Sequence, residues 1–264
     1  MNAIQHIVFI GSGNVATHLG LAIQKTGRSI VQVYSRTEAS AMHLAGLLNA
    51  DFTCVMEDIR READLYIIAV SDDALSEIAE DLNLDQKMVV HTSGSLPMDI
   101  LRKSSQNYGV LYPLQTFSKS REIDFSVIPL CIEANSKNNL HLLEHFAREL
   151  SHKVEPIDSE TRKILHLAAV FACNFPNFMY HIAAQIMADH GLQFELLRPL
   201  ILETAVKVQE LKPEEAQTGP ARRRDEEIMK KHIRLLKKFP EFQKIYNMLS
   251  EGIQGKAKPF EIYE

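Results

Sequence analysis

Cysteine is scarce. The three in 264 residues, Cys54, Cys131 and Cys173, are widely spaced and form no CxxC pair, which excludes a zinc ribbon and argues against a secreted disulfide scaffold. Eleven glycines and ten prolines are too few for a linker, a collagen or a disordered chain. Positive charge is not in excess either. Lys and Arg number 29 against 34 Asp and Glu, a net charge of −5, so no global basic field points to nucleic acid. A long apolar run is also missing. The most apolar window, 165–188, is interrupted by His166, Asn174, Pro176, Asn177, His181 and Gln185, which is unlike a membrane span. The opening MNAIQHIVFIGSG lacks the basic flank, apolar stretch and cleavage site of a signal peptide. What is present is the average composition of a soluble globular protein, 45% apolar and 24% charged. The expectation is a cytoplasmic chain of two domains or one large one, with no membrane and no nucleic-acid partner.

Up to about Asp158, short β-rich runs alternate with helical patterns. The runs are residues 6–10, 29–34, 52–55, 65–70, 88–91, 108–112, 128–133 and 153–157. The early ones are unbroken apolar strings, as strands buried on both faces of a parallel sheet require. Val15, Leu19 and Ile23 recur at helical spacing, and Gly27 follows as a C-terminal stop. This rhythm predicts an α/β fold with a doubly wound sheet. After Asp158 no convincing strand follows. Ser159 is the expected cap of a helix that runs to about His190 and ends at Gly191, some 45 Å at ~1.5 Å per residue. Pro176 in its interior removes the hydrogen bond to the carbonyl of Ala172, so a kink is expected there. Further helices are expected near 193–210, 225–238 and 241–250. The predicted domains are 1–157, an α/β unit, and 158–264, an all-helical one.

The first strand runs into Gly11-Ser12-Gly13-Asn14-Val15-Ala16, a GxGxxA pattern between a strand and a helix. The first glycine permits a tight turn, and the second lets backbone approach a pyrophosphate. The small third residue allows close helix–strand packing, and the helix N-terminus faces the anion. Gly11, Gly13, Asn14 and Val15 are therefore candidate cofactor contacts. The second strand chooses between cofactors. An NAD site usually ends this strand with an acidic residue on the ribose 2′-hydroxyl. This chain has Tyr34-Ser35-Arg36-Thr37 instead, with no carboxylate before Glu38. Arginine binds a 2′-phosphate through its planar, permanently charged fork, so Ser35, Arg36 and Thr37 point to NADP.

With these motifs and AVSDDAL (69–75), HTSGS (91–95), YPLQTF (112–117), HLAAVFACNFPN (166–177) and TGPARRRD (218–225), the chain resembles the superfamily of pyrroline-5-carboxylate reductase, the β-hydroxyacid dehydrogenases and ketopantoate reductase. It looks closest to a bacterial family of Rossmann-like proteins with a C-terminal helical domain of unknown function. The resemblance covers essentially the whole chain. It implies an NADP-binding Rossmann domain and a helical domain that forms a homodimer and completes the active site. It also implies that Val70, Ser71 and Asp72, and then Thr92, Ser93 and Gly94, lie at the cofactor's reactive end. Two departures stand against a direct transfer of chemistry. β-Hydroxyacid dehydrogenases carry a catalytic lysine on the first long helix and an asparagine four residues on. Here that region has His166 and Val170, and the asparagine arrives at Asn174. The Pro-Gly-Gly-Thr-type loop of pyrroline-5-carboxylate reductases is replaced by Thr218-Gly219-Pro220.

Reduction of a carbonyl or imine needs a proton donor near the acceptor atom. An imidazole, with an ordinary pKa near 6.5, serves as acid or base near neutrality, which makes His166 the leading catalytic candidate. Residues 166, 170, 173, 174 and 177 fall within one helical stripe, so His166 and Asn174 are expected to face one cleft; the alternative is a buried helix–helix hydrogen bond. Ser93 is a candidate for holding a carboxamide or carboxylate, while Ser95 reads as a turn residue that caps the next helix. Tyr112, Gln115 and Thr116 follow a strand end and are expected to wall a pocket. The stretch 222–238 holds eight Lys/Arg and three Asp/Glu, mostly a solvated helix face. Arg222, Arg223 and Arg224 precede a helix at its positive end, where an anionic ligand would offset their repulsion; Thr218, Gly219 and Arg223 are candidate substrate contacts. His141 and His145 have metal-ligand spacing but no neighbouring carboxylate or cysteine ligand set, so no metal is expected.

The leading function is an NADPH-dependent reductase of a small carbonyl or imine compound, anionic in character. The alternative is an NADP-binding sensor that has lost catalysis. A dimeric interaction protein without nucleotide fits poorly with an intact GSGNVA.

Overall fold

Short runs, mostly apolar strings rich in Ile and Val, form eight strands: β1 (His6–Ile10), β2 (Ser29–Tyr34), β3 (Asp51–Thr53), β4 (Leu65–Ile68), β5 (Met88–His91), β6 (Asn107–Pro113), β7 (Leu130–Ala134) and β8 (Val154–Pro156). The computed structural model describes residues 4–255; residues 1–3 and 256–264, the outer ends of the two expected domains, lie outside the described residues. The strands form one sheet in the order β3-β2-β1-β4-β5-β6-β7-β8, parallel throughout except for the antiparallel pair β6·β7. Helices α1 (Asn14–Lys25), α2 (Glu38–Leu48), α3 (Asp72–Asp81) and α4 (Lys137–Arg148) supply four of the seven connections. The helix expected from Val15, Leu19 and Ile23 is α1, and Gly27 follows its cap Thr26 with φ 82°. The fold is Rossmann-like. Chain order reverses beside β1, between β2 and β4, and a doubly wound sheet binds ligands in the crevice beyond the strand ends at such a point.

Two apolar layers sandwich the sheet. On one face Phe9, Leu19, Ile23, Leu44, Ile67 and Phe146 are buried together. On the other, Ile10, Tyr66, Ile68, Leu75 and Val89 are. The strand ends are in register: Ile10 pairs with Tyr34 and Ile68, and Ile68 with His91. The loops that follow therefore emerge along one edge.

Helix α5 (Ser159–Ala169) begins where strands give way to helices, but its cap is Asp158, whose carboxylate accepts from the Thr161 N–H. Ser159, the expected cap, is the first helical residue; its hydroxyl donates to Glu133 on β7 and accepts from the Met98 N–H. The kink expected at Pro176 takes another form. Residues Val170–Asn174 form a π turn, in which the Phe175 N–H reaches the Val170 carbonyl, and α6 (Phe175–Asp189) follows. The wide turn lies just before the residue that cannot donate, a common resolution of a helix defect.

The chain forms two compact units, Met1–Phe175 and Pro176–Glu264. Helix α5 groups with the sheet because Arg162, with a fully buried side chain, pairs with Glu133 and donates to the Leu96 carbonyl at 2.6 Å. The second unit holds most of α6, then α7 (Arg198–Glu210), α8 (Pro213–Ala216), α9 (Pro220–Arg223), α10 (Glu226–Leu235) and α11 (Pro240–Ile253). Helices α10 and α11 are joined by a 2.9 Å hydrogen bond between His232 and Tyr246. Among the described residues, Ile182, Ala221 and Leu236 are the buried apolar side chains of this unit, whereas Leu196, Leu200, Leu202 and Leu235 are each more than 60% exposed. No helix among the described residues is long and apolar enough to cross a membrane.

Candidate functional site

The turn after β1 is built around Gly11, at φ 112°. A Cβ there would lie 2.2 Å from the Ala69 carbonyl oxygen, so only glycine lets the turn pass against the end of β4. At Gly13, by contrast, a Cβ would meet nothing within 4 Å. That glycine caps α1 and leaves open space in front of the helix's first N–H groups, and no acidic side chain occupies the first turn. An anion such as a pyrophosphate fits this position.

The space is part of a cavity of about 530 Å³ along the strand ends. Gly11, Gly13, Asn14 and Val15 line it, as do Ser35 and Arg36 from the end of β2, and Val70, Ser71 and Asp72 from the end of β4. Ser93, Gly94, Tyr112, Gln115 and His166 complete the wall. The Ser12 hydroxyl donates to that of Ser35 at 2.9 Å, tying the glycine turn to the β2 end. The side-chain amide of Asn14 donates to the Phe117 carbonyl at 2.8 Å, so Asn14 faces the cavity with its helix-start backbone while its side chain holds the β6 loop. Arg36 is exposed and makes no ion pair with any described residue. Thr37 is exposed at the cap of α2 and does not line the cavity.

The turn after β5 differs from its reading in sequence. The Ser93 hydroxyl accepts the N–H groups of Ser95 and Leu96, at 3.2 and 3.0 Å. Ser93 thus holds the turn, the role expected of Ser95. The Ser95 hydroxyl instead donates to the Asp72 carboxylate across the cavity mouth. His91 at the end of β5 accepts the Ser93 N–H through Nδ1 at 3.1 Å. Burial pushes His91 down to about 4, with the nearby Arg162 guanidinium adding to the effect, so its ring is neutral.

His166 on α5 sits against this turn. Its Nδ1 lies 3.0 Å from the Tyr112 hydroxyl, and the two rings meet edge to face. Burial pushes the Tyr112 hydroxyl up to about 12, so it stays protonated. A Cβ on Gly94 would lie 2.6 Å from His166 Nδ1, so the contact depends on the glycine. Asn174 does not join His166. It is exposed in the π turn and lines no part of the cavity, because that turn changes the helix phase between the two residues. Thr218, Gly219 and Arg223 belong to the second unit, where Gly219 (φ 102°) caps α9. His141 and His145 are exposed on α4.

Sequence reasoning missed the residues that fix His166 in place. Arg162 precedes it by one helical turn, but its partner Glu133 lies 29 residues away, beyond the reach of any local pattern. The cavity brings the open N-terminus of α1 together with the His166–Tyr112 pair, a combination that suits a bound dinucleotide facing a small second molecule.

Residues 6–94 match a family described as NADP oxidoreductase, coenzyme F420-dependent, and residues 128–253 match a domain of unknown function, DUF2520. A Bacteroides fragilis protein of known crystal structure, described as an NADP oxidoreductase, is 45% identical, with a TM-score of 0.92, over 96% of this chain and 98% of that one. A protein from Thermotoga maritima is 24% identical, with a TM-score of 0.71, over 95% and 98% of the two chains. The 1-pyrroline-5-carboxylate reductase of Streptococcus pyogenes shares the fold at 12% identity, with a TM-score of 0.65, over 97% and 100%. No curated protein matches the sequence.

Proposed function

Because the chain belongs to the family of the Bacteroides fragilis NADP oxidoreductase, we propose that it is an NADP(H)-dependent reductase of a small carbonyl or imine compound. The observation that carries this reading is one cavity lined by the GxGxxA turn, Arg36 and His166 together. Gly11, Gly13, Asn14 and Val15 hold the pyrophosphate at the α1 N-terminus. Ser35 and Arg36 take the 2′-phosphate, with Thr37 beside them. Val70, Ser71 and Asp72 border the nicotinamide end. When bound, the reduced cofactor supplies a hydride. His166 gives the proton that the reduced oxygen or nitrogen requires, and Ser93 keeps the turn beneath it in shape. Asn174 is left outside the catalytic group. Thr218, Gly219 and Arg223, on the second unit, are proposed to hold an anionic group of the substrate.

The test is loss of NADPH absorbance against a panel of 2-oxo acids, cyclic imines and short-chain aldehydes. Turnover of at least one class is expected; none with any class, despite tight NADPH binding, would favour a sensor. Cofactor choice has its own check. Calorimetry should give at least tenfold tighter binding of NADP(H) than of NAD(H), ~1.4 kcal/mol, from one charge-assisted phosphate contact. Arg36→Ala should erase most of that difference, and equal affinities in the wild type would refute the assignment.

The exposed leucines of the second unit call for a partner surface. A symmetric homodimer through residues 158–264 is proposed, with Leu196, Leu200 and Leu202 buried in it. Light scattering at micromolar concentration should report twice the chain mass, and a monomer would contradict it.

A further inference from the structure

We infer that Tyr112 is a positioning residue for His166: by donating to Nδ1 it keeps the ring proton on Nε2. Three elements meet at this contact. Strand β6 brings Tyr112, which is 9% exposed, to the cavity wall. Helix α5, anchored by Arg162, brings His166. The turn after β5 lets both approach because residue 94 has no Cβ, which would stand 2.6 Å from Nδ1 and 3.0 Å from Tyr112 Cζ.

The direction of the hydrogen bond follows from proton counting. The Tyr112 hydroxyl is protonated and has no partner other than Nδ1 among the described residues. If Nδ1 carried the proton of the neutral ring, it would donate to the phenol oxygen, and the phenol proton would have no described acceptor. Donation from Tyr112 satisfies both groups. Nε2 then bears the proton of the neutral ring. It makes no hydrogen bond to a described residue and is not among the buried polar atoms lacking a partner, so solvent reaches it. When the ring gains a second proton, the bond reverses: Nδ1–H donates to the phenol oxygen, and Nε2 still presents a proton outward. In both states the nitrogen turned to solvent is a donor, which is what an electrophilic partner of a carbonyl or imine must be.

The catalytic part of this inference rests on the reductase reading; the tautomer does not, and the test separates them. Protein labelled with ¹⁵N at its 11 histidines is examined by NMR at about pH 8.5, where an ordinary imidazole is neutral. The His166 signals are assigned by their loss in His166→Gln. The expected result is a proton on Nε2 and a hydrogen-bonded acceptor at Nδ1. Tyr112→Phe should shift the Nδ1 resonance and leave the other histidines in place. Gly94→Ala, which drives a methyl group against Nδ1, should move the same resonance. With NADPH and a turned-over substrate, Tyr112→Phe should lower kcat about tenfold or more while KM stays within a factor of about three, the pattern of a group that orients the donor rather than binds substrate. A proton on Nδ1 in the wild type, or unchanged His166 signals in Tyr112→Phe, would overturn the inference; so would a kcat within about twofold of wild type. The expected NMR result with no turnover in any variant would support the placement of Tyr112 and count against the reductase reading alone.

Discussion

Replacing His166 by alanine should reduce turnover by roughly 10²–10⁴ while NADPH affinity stays within about a factor of three. The first figure is the usual worth of a positioned general acid. The second follows from where the proposed phosphate contacts lie. The α1 N-terminus and Arg36 lie on loops after β1 and β2, whereas His166 comes from α5 and touches the turn after β5 and strand β6. Removing the imidazole leaves the glycine turn, the Ser12–Ser35 hydrogen bond and Arg36 untouched. Paired calorimetry and steady-state kinetics check both figures. A parallel loss of cofactor affinity and turnover would mean that His166 holds the dinucleotide instead of serving the substrate.

Arg162→Ala is the second large effect, and it acts through stability. The Arg162 side chain is fully buried and Glu133 is largely so, and both bond to surrounding groups at Leu96 and Ser159. A buried pair adds little over an apolar replacement, but removing one partner strands the other charge, at a cost of about 3–5 kcal/mol. The denaturant midpoint of Arg162→Ala should fall accordingly, and Arg162→Met with Glu133→Leu should recover much of the loss. The same single variant should also lose turnover, because the pair ties α5, and with it His166, to β7. An unchanged midpoint in Arg162→Ala would show that the pair is not what fixes the helix.

What the sequence made legible follows from where the information lies. The central strands were readable because a strand covered on both faces is an apolar string, and β1, β2 and β5 match the expected spans end to end; the short outer strands β3 and β8, largely exposed, carry a weaker signal and come out shorter than the runs expected there. The glycine turn was readable because its demands are local: Gly11 needs a positive φ, and Gly13 needs open space in front of it. The antiparallel step from β6 to β7 was not readable, since either direction buries the same side chains. The pairing of His166 with Asn174 assumed an unbroken α-helix, and the π turn at Val170–Asn174 changed the phase. Ser93 takes the turn-closing part expected of Ser95, because either hydroxyl can close the turn; the Ser95 hydroxyl is drawn instead to Asp72, a neighbour at the start of α3 that local sequence does not reveal. Tyr112 was legible as a wall residue but not as the partner of His166, which lies 54 positions further on.

His166 is proposed to stand opposite the reacting carbon of a bound nicotinamide. A crystal structure of the protein with NADP⁺ measures this directly, as the distance from His166 Nε2 to nicotinamide C4. The expected separation leaves room for one small substrate or a single bridging water, within about 6 Å, and a distance beyond ~8 Å, out of reach of direct or single-water proton transfer, would refute this placement.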